Sequence, residues 1–214
     1  MILKLCGFTI AEQAATAARL GATHVGIVLW PRSKRAASIE QTSAVAAAAR
    51  EHGAEPVAVV VDHAGDELLA LPALGVERIQ LHGEHTLEDA ALLQQAGVPF
   101  WRALRVGSSG VDRALAASWR AAGADAIVLD AYVPGAPGGT GARVDLSTAA
   151  AFAADGPTVL AGGLTPANVA SAIAAARPSG VDVASGIERA PGDKDEDAMR
   201  RFVEQARAAL EEIG

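Results

Sequence analysis

One short phrase returns along this chain: a glycine, two or three residues, then an apolar run. It appears from Gly21 to Val28, Gly53 to Val60, Gly75 to Leu81, Gly97 to Ala103, Gly123 to Leu129, Gly156 to Ala161 and Gly180 to Val183. Glycine suits the end of a preceding helix. An apolar run of four to eight residues suits a strand buried on both faces, as a parallel sheet requires. With Ile2 to Cys6 as the first, the phrase predicts eight strands.

Between these runs lie alanine-rich segments of high helical propensity: Thr9–Leu20, Ser38–His52, Gly65–Leu74, Thr86–Ala96, Val111–Ala122, Asp145–Ala154, Thr165–Arg177 and Asp195–Ile213. Thr9, Ser38, Thr86 and Thr165 stand where N-caps belong, with Glu12, Gln41 and Asp89 three residues after the first three. Such spacing is that of a capping box. Pro166 fits a first helical turn. Eight strands alternating with eight helices in 214 residues predict a (β/α)8 TIM barrel spanning 1–214 as a single domain. The alternative, an open doubly wound sheet binding a nicotinamide, calls for a Gly-x-Gly-x-x-Gly turn after the first strand, and Cys6-Gly-Phe-Thr is not one.

Composition narrows the partners. A net charge of −7 disfavours nucleic acid or an anionic membrane surface, both of which ask for a basic field. A single cysteine makes no internal disulfide, and no apolar run nears the ~18 residues of a spanning helix. The start, Met1-Ile2-Leu3-Lys4, lacks the layout of a signal peptide, so the expected location is cytoplasmic.

In a barrel of this kind the carboxyl ends of the strands converge on one mouth. Polar residues there are Lys4 and Cys6, Asp62, Gln80 and His82, Arg102 or Arg105, Asp130, Gly162-Gly163, and Asp182 with Ser185-Gly186. Residues two apart on a strand share a face, which pairs Lys4 with Cys6 and Gln80 with His82. A lysine beside a thiol favours the thiolate. Asp130 closes a buried strand and opens into a loop, Pro134 to Gly141, with two prolines and four glycines. The glycine clusters after the seventh and eighth strands offer backbone N–H groups to a phosphate. A second reading of the polar set gathers His82, Asp62, Asp130 and Asp182 as metal ligands of a sugar-phosphate epimerase, and a third is a barrel that binds a phosphorylated metabolite without turnover.

The chain resembles the phosphoribosylanthranilate isomerases of tryptophan biosynthesis over nearly its whole length. The resemblance rests on Lys4-Leu-Cys-Gly-Phe-Thr9, Ser33-Lys-Arg35, Gln80-Leu-His-Gly83, the stretch Leu129 to Gly141, Leu160-Ala-Gly-Gly-Leu-Thr-Pro166 and Gly180 to Glu188. It implies an Amadori rearrangement of N-(5-phosphoribosyl)anthranilate without any cofactor or metal. Asp130 is then the expected general acid at the furanose oxygen and Cys6 the expected base at C2. Arg35 is expected to hold the anthranilate carboxylate, and Gly162, Gly163, Ser185 and Gly186 the phosphate. Asp182 is expected to order the sugar hydroxyls or the loop, with Lys4, Gln80 and His82 completing the substrate-binding set. The partner implied is the small phosphorylated substrate, with the protein a monomer or homodimer. Where the family usually carries two serines this chain has Ala184-Ser185, and its second loop reads Trp30-Pro-Arg-Ser-Lys-Arg35.

Overall fold

The computed structural model describes residues 1–106, 112–131 and 145–214. Eight parallel strands close into a barrel in sequence order: β1 (Ile2–Cys6), β2 (His24–Val28), β3 (Glu55–Val60), β4 (Arg78–Leu81), β5 (Phe100–Val106), β6 (Ala126–Ala131), β7 (Thr158–Leu160) and β8 (Gly180–Val183). The seam pairs β1 with β8, placing Lys4 opposite Asp182. The helices between them are α1 (Ala11–Leu20), α2 (Ile39–Glu51), α3 (Asp66–Ala70), α4 (Leu87–Gln95), α5 (Arg113–Ala121), α6 (Leu146–Asp155), α7 (Val169–Ala176) and α8 (Glu196–Ile213). The expected TIM barrel is therefore the observed one. No helix among the described residues is long and apolar enough to cross a membrane.

Strand alternation divides the interior into two cores. Leu3, Leu5, Ile79, Leu81, Ile127 and Leu129 face the helices and pack with their apolar faces. Val57, Trp101, Ala103, Ala126, Val128, Val159 and Ala161 fill the barrel itself. At the amino-terminal end Arg78 stacks over Trp101 at 5.0 Å and His24 lies 5.0 Å from the same ring. This apolar plug leaves the other end of the barrel free to carry polar groups.

Two expected capping boxes are present, Ser38 with Gln41 and Thr86 with Asp89. Two other expected caps are not. Ile10 stands at the N-cap of α1, one residue after Thr9, so Glu12 falls in the second helical position and bonds Arg19 instead. Asn168 caps α7, because Thr165-Pro166 forms a turn in which the Thr165 carbonyl accepts from the Asn168 and Val169 N–H groups. The third helix is also shorter than expected. Pro72 lacks an N–H for the α-helical ladder, and Leu71–Leu74 tightens into a 3-10 turn. The fifth helix begins at Arg113 on an Asp112 cap; the expected start at Val111 lies outside the described residues. A feature with no counterpart in the sequence reading is a small antiparallel hairpin, β9 (Glu188–Ala190) with β10 (Asp193–Lys194), ahead of α8.

Candidate active site

At the carboxyl ends of the strands a cleft opens to solvent. Cys6 from β1, Arg35 from the loop after β2, Gln80 and His82 at the end of β4, Arg105 on β5, Asp130 on β6, Gly162 and Gly163 after β7, and Asp182 and Ser185 from β8 and its loop all line it. The thiol and the carboxyl expected to do chemistry therefore face a common basin. Val28, Val59, Val61, Val128, Ala161 and Leu164 supply an apolar wall.

Lys4 lies beneath the cleft and does not line it. Its ammonium, with no exposed surface, donates to Asp182 Oδ2 at 2.7 Å and carries its positive charge close to the Cys6 thiol. Burial alone pulls the lysine down, but Asp182 and Cys6 together outweigh it and hold Lys4 above its ordinary value. For Cys6 the balance runs against the sequence expectation. Burial pushes the thiol up, further than Lys4 draws it down, and Asp182 adds to the rise. The resting group at neutral pH is thus the thiol.

The geometry around Cys6 also explains a glycine that sequence reasoning passed over. A side chain at Gly26 on β2 would place a Cβ 2.5 Å from the Cys6 Sγ and 2.9 Å from Lys4 Nζ. Only hydrogen leaves room for that pair.

Gln80 and His82 share a face of β4, with the amide nitrogen 2.7 Å from His82 Nε2. This orientation makes the ring an acceptor there, so its proton is assigned to Nδ1. Burial, then the Lys4 and Arg102 charges, lowers the His82 pKa to about 3, and the ring is neutral. Gln80 Oε1 and Asp182 Oδ1 are buried and make no hydrogen bond among the described residues. Buried acceptors of this kind are costly unless a ligand supplies donors.

Arg35 reaches the cleft with part of its guanidinium engaged. Its Nε and Nη2 donate to both oxygens of Glu188, at 2.9, 3.0 and 2.7 Å. Glu188 in turn receives Lys194 at 2.6 Å. Neither Glu188 nor Lys194 was singled out in the sequence; the available signal was two opposite charges flanking Gly192, the turn of a two-strand hairpin.

After β7, Gly162 and Gly163 adopt φ of 83° and 65°, so two successive residues occupy the left-handed region that glycine enters freely. They present backbone to the cleft beside Ser185. Gly186, expected beside them, does not line the cleft; a Cβ there would meet the Leu164 carbonyl oxygen, leaving no space for a side chain. Of the two arginines expected near the mouth, Arg105 lines the cleft and is paired in register with Asp130. Arg102 turns outward, bonding the Leu81 and Gly83 carbonyls and stacking on Trp119. Asp62 accepts the Trp30 indole N–H at 2.9 Å, and among the described residues no three His, Cys, Asp or Glu side chains gather as metal ligands. The proline- and glycine-rich loop into which Asp130 opens, Pro134 to Gly141, lies outside the described residues.

The family model for N-(5'-phosphoribosyl)anthranilate (PRA) isomerase matches residues 3–205. The chain belongs to this isomerase family. An N-(5'-phosphoribosyl)anthranilate isomerase of Synechococcus is 38% identical over 213 residues, covering 97% of each chain. The crystal structure of the Thermotoga maritima phosphoribosyl anthranilate isomerase is similar at a TM-score of 0.84 and 32% identity, over 97% of this chain and 100% of that one. A further isomerase structure, in complex with reduced 1-(o-carboxyphenylamino)-1-deoxyribulose 5-phosphate, is similar at a TM-score of 0.80 and 29% identity over 97% of this chain and 100% of that one. Membership makes the protein an isomerase of the aldose–ketose type, consistent with a barrel whose mouth carries a carboxyl, a thiol and a pair of glycines.

Proposed function

We propose that the protein converts N-(5'-phosphoribosyl)anthranilate into 1-(2-carboxyphenylamino)-1-deoxyribulose 5-phosphate, an Amadori rearrangement in tryptophan biosynthesis. The observation that carries the reading is the placement of Cys6 and Asp130, from β1 and β6, on one cleft with Gly162, Gly163 and Ser185 beside them. Asp130 protonates the furanose oxygen, and the C1–O bond breaks to leave a cationic imine. The C2 proton then passes to the Cys6 sulfur, giving an enolamine that takes a proton at C1 and loses one from its hydroxyl to become the ketone. Atoms balance within the substrate, and Asp130 regains the proton that Cys6 holds at the end. Because burial keeps the resting sulfur protonated, the base form arises only when Cys6 loses its proton; the Lys4 ammonium and the imine cation both favour that loss.

Binding follows from the same wall. The backbone N–H groups around Gly162 and Gly163, with Ser185 and with Gly186 fixing the turn, seat the phosphate. Arg35 takes the anthranilate carboxylate with the guanidinium edge that Glu188 leaves open, and the valines receive the ring. The orphaned oxygens of Gln80 and Asp182 accept from ribulose hydroxyls, His82 orients Gln80, and Lys4 orients Asp182. No step calls for a cofactor. In this reading residues 1–214 act as one domain, monomer or homodimer, in the cytoplasm, and the charge of −7 fits a protein that avoids nucleic acid and anionic membranes. The test is the loss of phosphoribosylanthranilate fluorescence on adding purified protein to freshly generated substrate. A rate no faster than spontaneous decay rejects the function.

A further inference from the structure

Two cations and one carboxylate meet where the end of β1, the loop after β2 and the β9–β10 hairpin come together. Lys194 on β10 has no exposed side-chain surface, and Glu188 is 3% exposed. The ammonium has three donors, and it spends them on Glu188 Oε1 at 2.6 Å, the backbone carbonyl of Cys6, and the Ala184 carbonyl at 3.4 Å. Glu188 is also held by the Gly192 N–H at 3.2 Å and clamps Arg35. Space for the cluster comes from Gly7: a Cβ there would fall 2.6 Å from Arg35 Cδ and 3.4 Å from Lys194 Nζ.

Burying a lysine costs several kcal/mol unless its donors are satisfied, and a hydrophobe of similar length would pack the same space without that cost. What distinguishes this lysine is where its acceptors belong. Each belongs to or adjoins a separate part of the cleft wall: the carrier of the thiol, the residue before Ser185, and the partner of Arg35. Two cations on one carboxylate also leave a surplus positive charge, which Arg35 presents to the cleft.

We propose that Lys194 is a positioning residue for the isomerisation: its ammonium ties the Cys6 and Ala184 backbone to the Glu188 carboxylate that clamps Arg35, fixing the spacing between base, phosphate seat and carboxylate-binding guanidinium. The inference rests on the functional reading above and adds to it a residue that touches none of the reacting atoms.

Steady-state kinetics of the full chain test it, with circular dichroism and thermal melting to confirm folding. Lys194→Met is expected to lower kcat and raise KM, each by about tenfold or more, since both the thiol and the anion contacts lose their tether. Glu188→Gln keeps the shape and an acceptor for the Lys194 ammonium while loosening the clamp on Arg35, and is expected to raise KM about fivefold with kcat within about twofold. In an Arg35→Met background the KM effect of Lys194→Met should shrink to within about threefold, the mark of residues acting through one another. A folded Lys194→Met with parental kcat and KM overturns the proposal, as do KM effects that simply multiply. Should Lys194→Met fail to fold, Glu188→Gln decides: a parental KM overturns the proposal and a raised KM at parental kcat supports it. A parent chain without isomerase activity overturns the functional reading and this inference with it, whereas an active parent indifferent to both substitutions overturns this inference alone.

Discussion

Lys4 and Asp182 face each other across the seam that closes the barrel, as register partners of the first and last strands joined by a 2.7 Å ion pair. One contact thereby fastens the fold and sets the field beneath the thiol. The side chains are 0% and 9% exposed, so neither charge has water to fall back on. Removing one member of a buried pair leaves the other uncompensated, a loss of roughly 3–5 kcal/mol. Lys4→Met should therefore lower the urea midpoint by that equivalent, and Lys4→Met/Asp182→Leu should recover part of it. A single variant within about 1 kcal/mol of the parent contradicts the pairing argument.

The pair also fixes an alkaline limit. The folded-state pKa of Lys4 is raised above 10.5, and a raised folded pKa gives stability that is complete below the unfolded value and lost as pH climbs through the folded one. Cys6, raised above 9.0, acts in the same direction. Stability measured by denaturant titration should hold up to about pH 9 and fall beyond it. In Lys4→Met the part of the fall that comes from the lysine disappears.

The acid side belongs to two histidines. Burial, first of all, lowers both His24 and His82 to about 3 from 6.5, with neighbouring cations adding to the drop. Groups with depressed folded pKa values stabilise above the unfolded value, and that contribution drains away as pH falls from about 6.5 toward 3. Each costs about 1.4 kcal/mol per pH unit inside that window. Unfolding free energies at pH 7, 5 and 4 should trace the fall, and His82→Gln should make it shallower. Ring resonances of either histidine moving between pH 5 and 8 would refute the assignment.

Gly26 gives a sharper steric test. Its missing side chain keeps space for Cys6 and Lys4, with both the Cys6 Cβ and the Lys4 Nζ 2.9 Å from where a methyl would sit. Overpacking at such a point costs about 1–3 kcal/mol and moves neighbours. Gly26→Ala should keep the barrel while reducing kcat more than tenfold, because the atom displaced is the sulfur proposed to take the C2 proton. Unchanged kcat in a folded variant rejects the close packing.

What the sequence disclosed tracks how far each feature depends on local pattern. The barrel was legible because a strand buried on both faces writes itself as an unbroken apolar run, and the Lys4–Cys6 and Gln80–His82 pairs follow from a period of two. Lys194 and Glu188 were not, since β9 and β10 are three and two residues long and carry no periodicity. Thr9 and Thr165 imitate caps, and only the turns before α1 and α7 reveal that Ile10 and Asn168 hold those places. The resting ionisation of Cys6 is not legible in the sequence, because its neighbour Lys4 favours the thiolate while the larger influence is burial, a property of the assembled barrel.

That resting thiol leads to the final expectation, on the pH dependence of catalysis. If Cys6 must be ionised and Asp130 protonated, kcat/KM for the free protein follows the product of the two fractions; in Asp130→Asn it follows the thiolate fraction alone, which rises about tenfold per pH unit below the thiol pKa. With that pKa raised above 9.0, the residual activity of Asp130→Asn should still be climbing from pH 7 to 9. Lys4 draws the thiol down, so Lys4→Met should shift the climb further alkaline. Cys6→Ala and Asp130→Asn should each cost about 10²–10⁴ in kcat, the usual worth of a positioned base or acid. They should differ in the remainder: loss of the acid exposes the alkaline climb, and loss of the base leaves none. A profile flat from pH 7 to 9 in Asp130→Asn would mean that the sulfur is already ionised when substrate arrives, and that the Lys4 ammonium beneath it outweighs burial after all.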